Sequence, residues 1–330
     1  MSQDWASPRL YPLRADPAGE RVEILELDEP DYADASFLDE RLLERFAPGR
    51  TVAWSDLEAA AAGLNGESDY IFHAGHVGST LLSRILGRSP EVFSVREPAM
   101  LRPLASDPAA RLRLPTLIRL FARTWRPSQK SLVKATSFVS ELAFDILERS
   151  PSSKAILMFA APQAFVAGLL AGPATRAELP SVTPARLARL ARRIGAPAES
   201  ATGAGEMAAA GWTAEICALA GIAAAFPDRC LWIDVDDLLA DPAAGLRRAL
   251  TFLDREASAD ELLAGGDLAR YAKAPQYAFG PAERRRVLSS ALVEDRAEIE
   301  RGLAWINRAA NAHPAVAAAA NAAAAGRRSP

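Results

Sequence analysis

Asp69-Tyr-Ile-Phe-His-Ala-Gly-His-Val-Gly-Ser-Thr-Leu-Leu-Ser-Arg-Ile-Leu86 reads as strand, tight loop and helix in succession. Tyr70 to Phe72 are apolar and β-prone, Gly75 and Gly78 punctuate the turn, and Leu81, Leu82, Ile85 and Leu86 recur at helical spacing. A helix therefore starts near Ser79 or Thr80. Its unpaired amide hydrogens, the two hydroxyls and the close backbone approach that glycine permits form a cradle for a phosphate or sulfate group across Gly75, His76, Val77, Gly78, Ser79 and Thr80. A nucleotide-hydrolysing loop of the form GxxxxGK[ST] carries a lysine before the hydroxyl residue. Here Gly78 itself precedes Ser79, and the nearest basic group is His76.

Working outward, short apolar strand candidates alternate with helical patterns, which predicts a mostly parallel sheet covered by helices. The strands are read at Tyr70 to His73, Val92 to Val95, Ser131 to Lys134, Ala155 to Phe159 and Cys230 to Asp234, with helices over Ser140 to Arg149 and Ala164 to Leu170. The expected fold is α/β: a P-loop nucleoside triphosphate hydrolase-like, three-layer arrangement with a helical insertion. Residues 1–66 are read as an N-terminal flank or lid, with an edge strand over Gly19 to Leu27 and helix over Asp34 to Ala62 broken at Pro48-Gly49. Residues 67–308 form the main domain, 171–211 the helical insertion, and 309–330 an alanine-rich tail expected to be disordered. The arginine run at Arg186, Arg189, Arg192 and Arg193 is read as a solvated helix face; Arg186, Arg189 and Arg193 share a side that an acidic substrate could meet.

Composition bounds the function. With 50% hydrophobic and 24% charged residues, the 330-residue chain is ample for one large core. A formal net charge of −3 argues against a nucleic-acid partner. Cys217 and Cys230 stand in no metal-like spacing, so two inert thiols in a reducing compartment are expected. The opening residues lack a basic start followed by an apolar run, and the apolar run Ile216 to Phe226 is too short to span a bilayer, so a cytoplasmic protein without a membrane partner is expected.

The motifs in order resemble those of the sulfotransferase superfamily, over roughly Tyr70 to Trp305. In that family the loop reads K-S-G-T-T or R-S-G-T-T; here it is His76-Val77-Gly78-Ser79-Thr80. Val95-Arg96-Glu97-Pro98 aligns with the Glu-Glu-Thr segment of tyrosylprotein sulfotransferases, which puts the acceptor-deprotonating glutamate on Glu97. Lys134 in Val133-Lys134-Ala135-Thr136 falls where the family has a lysine close to the transferring group. Leu231 to Pro242, followed by Leu246 to Phe252, is similar to a late structural segment. The arginine and serine that hold the donor's 3′ phosphate are replaced here by Ala160 and Gly168.

What the resemblance implies is transfer of a sulfuryl group from 3′-phosphoadenosine 5′-phosphosulfate to a hydroxyl or amine of a small acceptor, with no metal required. Glu97 would be the general base, with Arg96 or Arg102 as its possible ion-pair partner, and Lys134 and His76 would stabilise charge on the leaving group. Two other functions fit the same loop. A kinase-like phosphotransferase would bind ATP and magnesium through Ser79 or Thr80 and Asp234. A noncatalytic phospho-ligand module would need only the cradle. His73 reads as a satisfied strand-end residue that could also line the site, and Trp212, Lys273 and Tyr277 as core-packed or exposed residues that could instead border an acceptor pocket.

Overall fold

The computed structural model describes residues 5–16, 19–47, 49–270 and 278–328. Five strands form the central sheet: β4 (Asp69–His73), β5 (Val92–Arg96), β6 (Lys130–Lys134), β7 (Ala155–Phe159) and β8 (Cys230–Asp234), in the order β5-β6-β4-β7-β8. All neighbouring pairs are parallel. Strands β4, β5 and β7 are buried at every residue, as expected for a sheet covered on both faces. The sequence reading places all five within one residue of their observed ends, and the α/β class stands.

Chain direction fixes where a ligand can sit. From β4 the chain crosses to β5, and from β6 it crosses in the opposite sense to β7. The carboxyl ends of β4 and β6 therefore border a topological switch point, where open parallel sheets leave a crevice. The phosphate loop and Lys134 lie at those two ends.

The N-terminal residues depart from expectation. They build an antiparallel sheet of β1 (Leu10–Ala15), β2 (Arg21–Glu26) and β3 (Arg50–Ala53), with β2 in the centre rather than at an edge. The expected helix over Asp34 to Ala62 is a single 3-10 turn, Glu40–Glu44, then β3, then the helix Trp54–Ala62. This unit is tied to the main sheet through buried arginines. Arg96 donates to the carbonyls of Tyr32, Ala33 and Ala35, and Arg84 to those of Ala33 and Asp34, so two guanidiniums cap the C-terminal end of the helix Glu29–Asp34. Burial pulls the Arg96 guanidinium down to about 9. Arg123 likewise binds the carbonyls of Trp5, Ser7 and Leu10.

Two further readings are corrected. The arginine run is a solvated face only at Arg192, which is exposed. On the helix Pro173–Ile194, Arg189 pairs with Glu141 and Glu215 at 2.8 Å, Arg193 pairs with Glu141 at 2.7 Å, and Arg186 lies mostly buried against Gly211. The stretch expected to be a disordered tail is helical over Pro314–Arg328, because alanine has the best intrinsic helix propensity and Val316, Ala319 and Ala323 bury one stripe against the body. The apolar run at Ile216 belongs to a longer helix, Ala204–Ala225, which is long and apolar enough to cross a membrane; two thirds of its most apolar window is buried inside the protein, as in a core helix. Cys217 and Cys230 are half-buried, and burial pushes their thiols up to about 11 and about 12, which leaves little reactive thiolate at neutral pH.

Candidate active site

At the end of β4 the chain enters the loop through His73, Ala74 and Gly75. His73 Nδ1 accepts from the Gly75 amide at 3.0 Å, so its Nε2 carries the hydrogen and donates to the Ala135 carbonyl at 2.8 Å. The ring thus staples the start of the loop to the end of β6, as the strand-end reading expects. Gly75, His76 and Gly78 all take positive φ, at 84°, 54° and 72°. Gly78 is the position where glycine is required: a Cβ there would come within 2.8 Å of Val235 Cγ2.

The helix Ser79–Leu86 begins immediately after, and no side chain caps its N-terminus. Its first amides are left to attract an anion. Thr80 is an independent sign that the cradle suits an anion. It is 3% exposed, it lines the cavity in front of the loop, and its hydroxyl has no hydrogen-bond partner. An orphaned buried hydroxyl costs about 1–3 kcal/mol, and a phosphate or sulfate oxygen in the cradle would remove that cost.

That cavity measures about 500 Å3 and collects the predicted residues: His76, Val77, Gly78, Ser79, Thr80, Glu97 and Lys134 all line it. Gly75 is buried and does not line it. Glu97 and Lys134 meet because β5 and β6 are paired in register up to Arg96 and Lys134, and the Glu97 amide continues the ladder to the Lys134 carbonyl at 2.6 Å. Lys134 is 1% exposed and its ammonium is hydrogen-bonded to Glu97 Oε1. Glu97 itself has φ 52°, the left-handed region that a non-glycine residue enters at a cost of roughly 1–2 kcal/mol. Its second oxygen, Oε2, receives Thr136 Oγ1 at 3.4 Å and lies 3.7 Å from Arg102. Of the two arginines considered as partners, Arg102 faces Glu97, whereas Arg96 is turned to the N-terminal carbonyls.

Asp234, the other strand-end acid, belongs to a different place. Its Oδ1 caps the following helix by accepting from the amides of Asp236 and Asp237 at 2.8 and 3.4 Å, and its Oδ2 lies 3.3 Å from Arg327. It lines a separate cavity with Leu238 and Arg248. Burial raises its carboxyl above the usual range, against the backbone hydrogen bond and Arg327. Among the described residues no group of three or more His, Cys, Asp or Glu is arranged to hold a metal ion.

The remaining sequence readings divide. Ala160 is buried and its carbonyl accepts from Trp212 Nε1 at 2.9 Å, so Trp212 is packed in the core, in line with the core-packing reading. Gly168 does line the loop cavity. Lys273 and Tyr277 lie outside the described residues. Sequence reasoning missed Arg270, Phe279 and Arg284 on the far wall, where Arg284 is held by Asp236 at 2.7 Å. It also missed Asp39, 3% exposed, whose carboxylate binds Arg41 and Arg102. No local pattern marks these residues, since Asp39 and Arg102 are 63 positions apart.

No family model matches this sequence, and no curated protein matches it. Among solved structures the chain is similar to the sulfotransferase domain from the curacin biosynthetic pathway, at 16% identity and TM-score 0.42, over 69% of this chain and 98% of that one. It is similar to a sulfotransferase from Alicyclobacillus acidocaldarius, at 15% identity and TM-score 0.41, over 72% and 96%. A mouse sulfotransferase complexed with PAP matches at 11% identity and TM-score 0.40, over 82% and 96%.

Proposed function

We propose that this protein transfers a sulfuryl group from 3′-phosphoadenosine 5′-phosphosulfate to the hydroxyl or amine of a small acceptor. The observation that carries this reading is that an anion cradle with an orphaned hydroxyl, Thr80, and a buried Lys134–Glu97 couple line one cavity. Sulfuryl transfer needs these parts: donors to hold the phosphosulfate, a base for the acceptor proton, and positive charge near the bridging oxygen. The loop amides and Thr80 would hold the phosphosulfate. Glu97 takes the proton of the attacking oxygen or nitrogen, while Lys134, and His76 from the exposed side of the loop, stabilise charge on the leaving phosphate. Arg270 and Arg284 are the cations on the wall that could meet the donor's second phosphate in place of the residues replaced by Ala160 and Gly168. A cytoplasmic setting, where the free Cys217 and Cys230 persist, belongs to this reading.

The kinase-like alternative asks Asp234 to serve a magnesium ion at the loop, but Asp234 is committed to a helix cap and to Arg327 beside another cavity. The noncatalytic module remains the rival, because Ala160 and Gly168 remove two expected ligands. Calorimetric titration with 3′-phosphoadenosine 5′-phosphate, adenosine 5′-phosphosulfate and Mg-ATP, on the native protein and on Gly78→Asp, tests all three. Saturable bisphosphate binding that Gly78→Asp abolishes is expected. Binding of Mg-ATP alone supports the kinase, and bisphosphate binding without transfer to any phenol, alcohol or amine supports the module.

A further inference from the structure

The segment around Asp39 is fixed to the strand end that carries Glu97. The Leu38 amide donates to the Arg96 carbonyl at 2.7 Å, and the Ala99 amide donates back to the Leu38 carbonyl at 3.2 Å. Asp39 is thereby held beside Glu97 by main chain on both sides. Its carboxylate takes the Arg41 side chain through both oxygens, with Arg41 Nε at 2.8 Å, and takes Arg102 Nη2 at 2.7 Å. That same Nη2 is 3.7 Å from Glu97 Oε2, too far for a hydrogen bond. Arg102 Nε meanwhile reaches Thr136 Oγ1 at 3.3 Å, and the outer nitrogen of Arg102 faces the exposed Glu40 at 3.7 Å. Phe37 from the same segment covers Lys134, with the ammonium 5.8 Å from the ring centre.

Three cations, Lys134, Arg41 and Arg102, therefore stand around two buried carboxylates. Lys134 occupies Oε1 of Glu97. If Arg102 closed the remaining gap, both oxygens of the base would be taken by cations. We propose that Asp39 is a positioning residue: by binding Arg102, it keeps that guanidinium from closing on Glu97 Oε2, which takes the long 3.4 Å contact from Thr136 Oγ1 and so stays within reach of the acceptor. This rests on the sulfuryl-transfer reading of the site. In the step it serves, the acceptor's oxygen or nitrogen forms a bond to sulfur and its proton passes to Glu97 Oε2. The bond from sulfur to the bridging oxygen breaks, and its electron pair stays on the donor's phosphate.

The experiment is a double-mutant cycle on Asp39→Asn and Arg102→Gln, with radiolabelled donor and tyramine as acceptor, and with crystal structures of the variants. Asparagine retains an acceptor oxygen for the Arg41 amide, and Asp39→Glu serves as the charge-preserving control should Asp39→Asn fold poorly. In Asp39→Asn, Arg102 Nη2 is expected to move to hydrogen-bond distance from Glu97 Oε2, and kcat to fall about tenfold, the scale of one new hydrogen bond to a charged group. Donor KM and bisphosphate affinity stay unchanged. Adding Arg102→Gln restores kcat to the level of Arg102→Gln alone, which loss of a merely structural contact would not allow. An unmoved Arg102, or a double variant as slow as Asp39→Asn, overturns the positioning role. The structures are read without substrate, so an Arg102 that moves in a protein transferring to neither tyramine nor water overturns the sulfuryl-transfer reading instead.

Discussion

Glu97 and Asp234 are both buried acids at the carboxyl ends of parallel strands, Glu97 just past β5 and Asp234 closing β8, yet their surroundings give them opposite work. Asp234 sits in ordinary extended backbone, and its oxygens serve the fold by capping a helix and meeting Arg327. Glu97 sits in left-handed backbone, faces the loop cavity, and has one oxygen without a close cationic partner. The lesson is that a strand-end acid becomes a candidate base through strain and an oxygen with no cation at hydrogen-bond distance, not through its place on the sheet.

The largest expected effect separates the two directly. Glu97→Gln should lower turnover by about 10²–10⁴-fold while bisphosphate binding persists; Asp234→Asn should leave turnover within about twofold, the cap oxygen being retained. Equal losses in the two variants, measured in the same transfer assay, would break the distinction.

Linkage to pH sharpens it further by bringing in Asp39, the acid beside Glu97. Burial opposes the Asp39 charge, but hydrogen bonds from Arg41 and Arg102 outweigh it and hold the carboxyl at about 2. Its folded value lies below the unfolded one, so its contribution, about 2 kcal/mol, is present above pH 4 and is lost as pH falls from about 4 to about 2. Asp234 carries the opposite sign: with its folded value raised, its ionisation works against the fold as pH rises past the unfolded value. Denaturant titrations across acidic pH should show Asp39→Asn removing part of the native loss toward pH 2, and Asp234→Asn not doing so.

The smallest effect concerns the loop side of the comparison. Thr80→Val keeps the side-chain shape and removes the orphaned hydroxyl, so the ligand-free protein should gain about 1 kcal/mol in thermal or denaturant unfolding. Bisphosphate affinity should fall by about tenfold in the same variant. A destabilised Thr80→Val would mean that the hydroxyl serves the fold, as Asp234 does.

How much of this was legible follows from the range of each interaction. The five parallel strands and the loop are local: runs such as Ala155–Phe159 are apolar throughout, and Gly78 marks its own turn. Of the N-terminal sheet only β2 was legible as a strand; β1, which contains Pro12, and the four-residue β3 are too short and irregular to show a pattern before they pair with it. The arginine run was misread because Glu141 and Glu215 lie far from Arg189 in sequence. The alanine-rich end was misread by weighing its low complexity over its helix propensity. Within the site, Glu97 and Lys134 were accessible through motif order, whereas Asp39 became visible only when the chain was folded.

The two arginines that cap the helix Glu29–Asp34 have a consequence for how the protein opens. Arg84 rides on the loop helix and Arg96 immediately precedes Glu97, so the N-terminal unit is fastened to both elements that build the cavity. Occupying the cradle should then slow cleavage far away: a ligand that steadies Ser79–Leu86 stabilises the anchors of residues 29–38, and protease sensitivity in that stretch becomes a remote gauge of whether the loop is filled.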